Sequence, residues 1–114
     1  MSYATEAQIE AILGFSIDDS GNSRPTSTQL TQMLSDADAI INAEARITTN
    51  ATDSSGRLRT IEVTLVMKMI NNMFALSDPD SRDMVEVELT DDQKRIIHME
   101  LGVWDSLTWE VGVD

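Results

Sequence analysis

His98 is the only histidine in this sequence of 114 residues, and cysteine is absent. Nucleophilic catalysis would therefore need a serine or an aspartate brought close to this one imidazole. His98 stands between Ile97 and Met99 in a stretch with helical periodicity, where we expect an ordinary surface or boundary residue. The sequence also lacks a phosphate-binding glycine loop and a nucleophile-elbow motif. We predict no catalytic residue and no enzyme.

Three aspartates, Asp78, Asp80 and Asp83, have the spacing that begins a calcium-binding loop. The position of the turn glycine is Asp83, however, and the position of the bidentate glutamate is Leu89. Metal binding is therefore not expected. Asp36 and Asp38 do not form a carboxylate pair either, because helix residues two apart point to different faces.

The triplet from Asp105 to Leu107 matches the site at which acyl carrier proteins bear a phosphopantetheine arm. In those proteins the serine begins a second helix, whereas only the residues from Thr108 to Asp114 follow here. We expect Ser106 to lie in a turn, and we predict no cofactor.

Charge restricts the partners of this chain. The formal net charge is −12, and the stretch from Asp78 to Asp114 holds 11 acidic residues against three basic ones. Such a field repels nucleic-acid backbones and anionic lipid. No run of about 18 apolar residues is present, and the first residues lack the basic flank of a secretory signal. We expect a soluble chain that is made in a cytoplasm and does not meet a membrane.

Apolar periodicity predicts a mainly α-helical, four-helix-bundle-like domain over residues 1–103, with helices at about 5–13, 28–46, 57–76 and 91–102. Three helix starts carry a capping box, in which a threonine precedes a glutamine by three residues. These pairs are Thr5 and Gln8, Thr26 and Gln29, and Thr90 and Gln93. In the first helix Ile9, Ile12 and Leu13 share one face. The outer face of the second helix should carry Gln32, Asp36 and Asn42.

Two other segments have no helical period. Residues 48–56 are almost all turn formers, which indicates a polar loop or a hairpin tip. Residues 84–89 alternate apolar and acidic side chains, as in a short exposed strand or an extended arm.

The last residues, 104–114, are rich in apolar side chains that lack helical spacing, and they are predicted to form an extended tail. Its apolar residues are Trp104, Leu107, Trp109, Val111 and Val113. Chain ends are usually polar and frayed, so such a tail is expected to dock. It can do so as a strand against its own domain or on the edge or pocket of a partner.

The first half of the chain resembles the head-tail connector adaptors, also called head completion proteins, of tailed bacteriophages and related viruses. The resemblance lies in Tyr3 to Glu6, Ile9 to Gly14, the Pro25-Thr26 pair, Leu30 to Leu34 and Asp36 to Asn42. It covers residues 1–47 closely and the stretch from Arg57 to Leu76 loosely.

This resemblance implies a helical protomer of a ring, usually of twelve copies, between the portal and the next neck or tail completion protein. It implies a virion protein of the neck, made in the host cytoplasm, through which DNA passes without specific binding, and it implies no catalysis. The tail residues Trp104, Leu107, Trp109, Val111 and Val113 would then contact the portal or a neighbouring protomer. The loop residues Asn50, Thr52, Asp53 and Ser54 would face the lumen or the next ring.

Two other classes of protein stay open. An acidic regulatory protein of the DNA-mimic type would bind a basic partner through carboxylates spaced along one exposed face. A small enzyme that uses a serine or an aspartate with His98 is the third reading, and any detected activity would be tested with His98→Ala.

Overall fold

The computed structural model describes residues 2–19, 25–78, 80 and 82–101. Within these ranges the chain forms four helices and no strand: α1 (Glu6–Leu13), α2 (Ser27–Ala45), α3 (Arg57–Ser77) and α4 (Asp91–Leu101). The mainly α, four-helix-bundle-like fold that the periodicity predicts is thus confirmed. Each predicted helix boundary lies within one residue of the observed one; the extended tail over 104–114 lies outside the described residues.

The predicted capping boxes all form. At α1 the Thr5 hydroxyl accepts from the backbone N–H of Gln8 at 3.2 Å, and the Gln8 side chain accepts from the N–H of Thr5 at 2.9 Å. The same reciprocal pairs occur at the starts of α2 and α4. Because each box satisfies N–H groups that the helix leaves unpaired, the helix begins at a defined residue.

The helix ends follow from backbone conformation. Gly14 ends α1 in the left-handed region, at φ 84°, where a glycine has no steric penalty. Arg46 ends α2 in the same region, at φ 60°, and is the one described non-glycine residue with positive φ. This conformation is uncommon for an arginine, and nothing in the sequence pattern indicates it.

The start of α3 depends on a residue of the preceding loop. The Asp53 carboxylate accepts three backbone hydrogen bonds, from Gly56 at 3.1 Å, Leu58 at 3.2 Å and Arg59 at 2.9 Å. A carboxylate at this position also interacts favourably with the helix dipole. The segment that could have been a loop or a hairpin tip is therefore a loop that ends in a helix cap.

Helix α2 is the centre of the packing, since it contacts α1, α3 and α4, and α3 also contacts α4. The core is formed by apolar side chains from every helix, which include Ile9, Leu30, Ile41, Leu58, Leu65, Val66 and Ile97. The two alanines at 37 and 45 on α2 are buried, whereas those at 39 and 43 are exposed.

Ile12 is 55% exposed, although it shares a face of α1 with the buried Ile9. Two predictions about side-chain position were wrong. Asn42 is buried rather than on the outer face of α2, since it hydrogen-bonds Tyr3 and Asn50. His98 is buried as well and is not a surface or boundary residue, because Glu44 of α2 gives its ring a polar partner inside the packing.

Candidate functional site

The first described residues, Ser2 to Ala4, lie across α2 and α3. The Ser2 hydroxyl donates to Oδ2 of Asp38 at 2.8 Å, and the backbone N–H of Tyr3 donates to its Oδ1 at 3.3 Å. The backbone N–H of Ala4 donates to Oε2 of Glu62 at 2.6 Å. We name this arrangement the N-terminal clamp; it comprises residues 2–4 with Asp38, Asn42 and Glu62.

Tyr3 extends the clamp to the loop between α2 and α3. Its hydroxyl donates to Oδ1 of Asn42 at 2.7 Å and accepts from the backbone N–H of Ala51 at 3.0 Å. Burial raises the pKa of Tyr3, the Ala51 N–H opposes that shift, and the negative charge of Asp38 adds to it. The phenol therefore stays protonated and remains a donor.

Glu62 is a fully buried carboxyl group in the middle of this cluster. Desolvation is the main cause that raises its pKa to about 9, and the hydrogen bond with the Asp38 side chain acts in the same direction. Among the described residues no donor faces its second oxygen, Oε1. A protonated carboxyl group explains this, because its O–H can donate to Asp38 while Oε2 accepts from Ala4.

The sequence interpretation missed Glu62, although a signal was present. Glu62 is four residues after Leu58 and three before Leu65, both of which are buried, so it lies on the apolar stripe of α3. The carboxyl pair in the structure joins Asp38 to this residue across two helices. Asp36, by contrast, points outward and accepts from Gln32 on the same helix.

His98 belongs to a different part of the fold. Its Nε2 lies 2.7 Å from Oε2 of Glu44, which joins α4 to α2. Within the described residues there is no group of three or more acidic, histidine or cysteine side chains that could hold a metal ion.

The four loop residues that the sequence singled out are not equivalent. Asn50 accepts from Nδ2 of Asn42 at 2.7 Å, and the Asp53 carboxylate caps α3. Thr52 and Ser54 are exposed. Only the latter two therefore present their side chains to another molecule.

A pocket of about 450 Å³ opens between the N-terminal clamp and this loop. Its lining includes Tyr3, Gln8, Asn50, Asp53 and Arg59. The lining carries two charged residues, Asp53, whose carboxylate caps α3, and Arg59.

The predicted segment 84–89 is non-helical and forms no strand, and residues 83–88 lie beside α3. Asn72 hydrogen-bonds both backbone groups of Val85. Its Oδ1 accepts from the Val85 N–H at 2.8 Å, and its Nδ2 donates to the Val85 carbonyl at 2.7 Å. Asn71 donates to the carbonyl of Asp83, and Lys68 donates to that of Glu88. A single asparagine side chain thus satisfies both backbone groups of Val85. We call residues 83–88 the acidic edge.

The outer side of the acidic edge carries two glutamates, Glu86 and Glu88, both exposed. The pKa of Glu86 is raised because its carboxyl group is hydrogen-bonded to Glu88 and close to that negative charge. Asp91 and Asp92 follow directly in the first turn of α4. This surface therefore repels anions.

Large apolar side chains are exposed at two separate places. The α1 patch consists of Ile12 and Phe15 at the C-terminal end of α1. The α3 patch consists of Leu76, which is 75% exposed, with Met84 and Val85 of the acidic edge. Leu76 lies one helical turn beyond Asn72, on the side of α3 that holds Val85.

The α1 patch continues into a groove between α1 and α3 of about 420 Å³. Ile12, Ala11 and Val63 give it an apolar lining, and Arg59 and Thr60 stand at its polar end. The groove meets the first part of α3, whereas Leu76 is about 20 Å away along the helix axis at 1.5 Å per residue. The two patches are therefore distinct.

The tail residues predicted as an interface, Trp104, Leu107, Trp109, Val111 and Val113, lie outside the described residues. None of the described helices is both long and apolar enough to cross a bilayer. Comparison with protein-family models, curated proteins and solved structures found no match.

Proposed function

We propose that this chain is a structural virion protein that forms a head-to-tail adaptor ring between the portal and the neck or tail of a tailed virus. The observation that carries the proposal is the presence of two distinct apolar patches at different ends of α3. A ring needs a heterologous contact, in which one surface of a protomer meets a different surface of the next. A single patch would instead favour a two-fold dimer.

The resemblance of the first half of the chain to connector adaptors supports the same proposal. Its elements are the short α1, the Pro25-Thr26 pair and the long α2, and they occur in the order that the resemblance requires. In this proposal the exposed Thr52 and Ser54 face the lumen or the next ring, and the tail contacts the portal or a neighbouring protomer.

The acidic surface fits a DNA conduit. A channel wall should not hold the phosphate backbone that moves past it, and carboxylates reduce such binding by repulsion. We therefore expect no measurable binding of double-stranded DNA even at low salt, where a basic protein would bind most tightly.

The experiment is the mass of the purified chain in solution, measured by light scattering across concentration and salt, alone and with a candidate portal ring. A ring alone, or a monomer that becomes a ring on the portal, supports the adaptor. Phe15→Ser and Leu76→Ser should each prevent assembly because each removes one half of the heterologous contact. Met99→Ser is the matched control, since Met99 is 59% exposed and belongs to neither patch.

A second candidate function is favoured by one specific observation. The pKa of Glu86 is raised by its contact with Glu88, and the exposed Asp91 and Asp92 follow within four residues, so exposed carboxylates are concentrated in this short segment. An acidic protein of the DNA-mimic type would use such a side to bind a basic partner. A persistent monomer that ignores portals but binds a basic DNA-binding protein, with affinity that falls as salt rises, would favour this function over the adaptor.

A further inference from the structure

The groove between α1 and α3, the α1–α3 groove, has one charged side chain among the described residues that line it, that of Arg59. Its guanidinium lies over the start of α3, where Nη2 would be 3.2 Å from a Cβ atom at Gly56. Arg59 is exposed, and no carboxylate of the described residues forms an ion pair with it. The groove therefore combines apolar surface with an accessible cation, in a chain whose net charge is −12.

The acidic residues closest to this groove in the sequence are bound to other groups. On α1, Glu6 accepts from the Ser27 hydroxyl at 2.9 Å, and Glu10 accepts from the backbone N–H of Ile17 at 2.6 Å. The Asp53 carboxylate caps α3. A guanidinium beside apolar surface recognises a carboxylate on an apolar segment. The occupant that fits the groove is therefore both acidic and apolar.

The α3 patch and the acidic edge together have this composition. Leu76 is 75% exposed, Met84 55% and Val85 43%. The next residue, Glu86, is exposed and its carboxyl group is hydrogen-bonded to that of Glu88. Two neighbouring carboxylates repel each other, and a guanidinium relieves this because its planar fork of N–H groups can donate to both.

The basic side chains beside the α3 patch are held by other groups. The Arg82 guanidinium lies over the ring of Phe74, 5.2 Å from its centroid, and Lys68 donates to the backbone carbonyl of Glu88. Within the described part of the chain, neither Glu86 nor Glu88 forms an ion pair. Their carboxyl groups are thus accessible to a cation from another molecule.

One copy of the chain can use the groove and the patch at the same time. The groove is lined by residues 59–64 of α3, whereas residues 68–72 hold the acidic edge. At about 3.6 residues per turn, the two sets face directions about 100° apart around the helix axis and are centred about 13 Å apart along it. A copy can therefore meet one neighbour through its groove and another through its patch.

We propose that the α3 patch of one copy docks in the α1–α3 groove of the next copy, where Arg59 pairs with Glu86 and Glu88 of the neighbouring copy. The exposed apolar side chains of the patch fill the groove, and the charge pair fixes the register of the two surfaces. The inference rests on the proposed function for the closed ring, because a heterologous contact can also continue as a filament. The contact itself requires only two copies.

Charge reversal tests this pairing. In Arg59→Glu the groove and the patch both carry negative charge, and in Glu86→Arg the groove faces a second cation. Each variant alone should associate at least about tenfold more weakly than the unaltered chain, since close charge pairs across an interface couple at least this strongly. Both positions are exposed, and a glutamate in the first turn of α3 also suits the helix dipole, so the fold should be kept.

An equimolar mixture of the two variants should recover assembly. The reversed groove of one variant meets the reversed patch of the other, and the remaining groove and patch keep their original residues, so every contact in an alternating assembly is attractive. A variant that failed to fold could not recover in this way. Light scattering at about 0.15 M salt measures the mass, because screening there limits long-range repulsion between the acidic copies.

Arg95→Glu and Asp36→Arg are the matched controls. They change the net charge by the same amounts as the two test variants. Both positions are exposed and lie on neither surface, since Arg95 pairs with Asp92 on α4 and Asp36 accepts from Gln32 on α2. Both controls should assemble like the unaltered chain, which separates a specific charge pair from an effect of net charge.

Cross-linking detects the contact even where association is weak. The chain has no cysteine, so Ile12→Cys in the groove and Leu76→Cys in the patch each introduce a single thiol. With a short bismaleimide, an equimolar mixture should give mainly the cross-linked heterodimer, because the groove meets the patch and not another groove. A mixture without an excess of heterodimer over random pairing, at every concentration, would overturn the inference.

Three further outcomes would overturn it. Reversal variants that each assemble as well as the controls exclude the pair of Arg59 with Glu86. A mixture that stays monomeric while the controls assemble excludes the contact as well. Cross-linking of Ile12→Cys to itself in preference to Leu76→Cys would assign the groove to a two-fold dimer.

Failure of this inference and failure of the proposed function can be told apart. If Arg59→Glu and Glu86→Arg each still form a ring with the portal, the adaptor function stands and this contact does not. If the mixture recovers assembly but no portal recruits the unaltered chain, the contact stands and the adaptor function falls.

Discussion

The N-terminal clamp and the acidic edge are both short non-helical stretches held by polar side chains, the clamp against α2 and α3 and the edge against α3. In the clamp, the backbone N–H groups of Tyr3 and Ala4 end on buried or half-buried carboxyl groups. At the edge, asparagine side chains hold the backbone, and the side chains of Met84, Val85 and Glu86 are exposed. The first stretch closes the fold, and the second presents side chains to another molecule.

The two regions also treat carboxyl groups differently. Glu62 is buried, and it keeps a proton that a carboxyl group in water would lose. Glu86 is exposed to water, and its pKa is raised by its hydrogen bond with Glu88 and by the nearby negative charge of that residue. Polar residues are therefore structural in one region and available for interaction in the other.

The largest expected effect comes from the same substitution made in both regions. Glu62→Ala removes the acceptor of the Ala4 N–H and leaves a cavity beside Asp38, so we expect a loss of about 3 kcal/mol or more in the free energy of unfolding. Glu86→Ala should leave the unfolding midpoint unchanged. Urea denaturation measures the free energy of unfolding of both variants. Equal losses would contradict the view that the carboxyl group is structural in one region and not in the other.

The pH dependence of stability should sharpen the contrast further. The pKa of Glu62 is about 9 in the folded chain and close to 4.5 in the unfolded chain, so the folded state binds the extra proton between these values. Its contribution is fully present below pH 4.5 and is lost as pH rises toward 9, with a slope of at most about 1.4 kcal/mol per pH unit.

Glu62→Gln is the matched variant for this prediction. An amide can still donate to Asp38 and accept from Ala4, but it does not titrate. Denaturation curves at several pH values should show a smaller decline in stability between pH 5 and 9 for this variant. A decline as steep as in the unaltered chain would assign the slope to other groups.

A smaller effect is expected for the hydroxyl of Tyr3. Tyr3→Phe removes the donor to Asn42 and the acceptor of the Ala51 N–H but keeps the ring. We expect a loss of about 1–2 kcal/mol, since two half-buried groups lose their partner. Thermal unfolding measures this, and hydrogen exchange should show that the Ala51 amide loses protection. An unprotected Ala51 amide in the unaltered chain would contradict the contact.

The smallest effect on global stability is expected at the acidic edge. Asn72→Ala removes both hydrogen bonds to Val85, at a cost of about 1 kcal/mol or less because the region is exposed. Hydrogen exchange at the Val85 amide should become fast while the core amides keep their protection. Lys68→Met is the matched control, since Lys68 donates to the carbonyl of Glu88 and not to Val85.

Much of the fold could be predicted because its signals are local. A capping box joins residues three apart, as Thr26 and Gln29 are, and apolar periodicity needs only one helix. The roles of Asp53 and Asn72 could not be predicted in the same way. The Asp53 cap depends on the path of the loop, and Asn72 meets Val85 only when α3 and the acidic edge lie side by side.

For the candidate surfaces, too, local features could be predicted and features that depend on tertiary contacts could not. The sequence by itself determined the four helices, the acidic balance and the alternation in residues 84–89 and 107–113, because side-chain period and charge are properties of the chain alone. Tertiary structure decided that Glu62, Asn42 and His98 are buried and that Met84 and Val85 are exposed beside α3. Burial depends on which helices pack together, and residues distant in the sequence supply the hydrogen bonds that make a buried polar group stable.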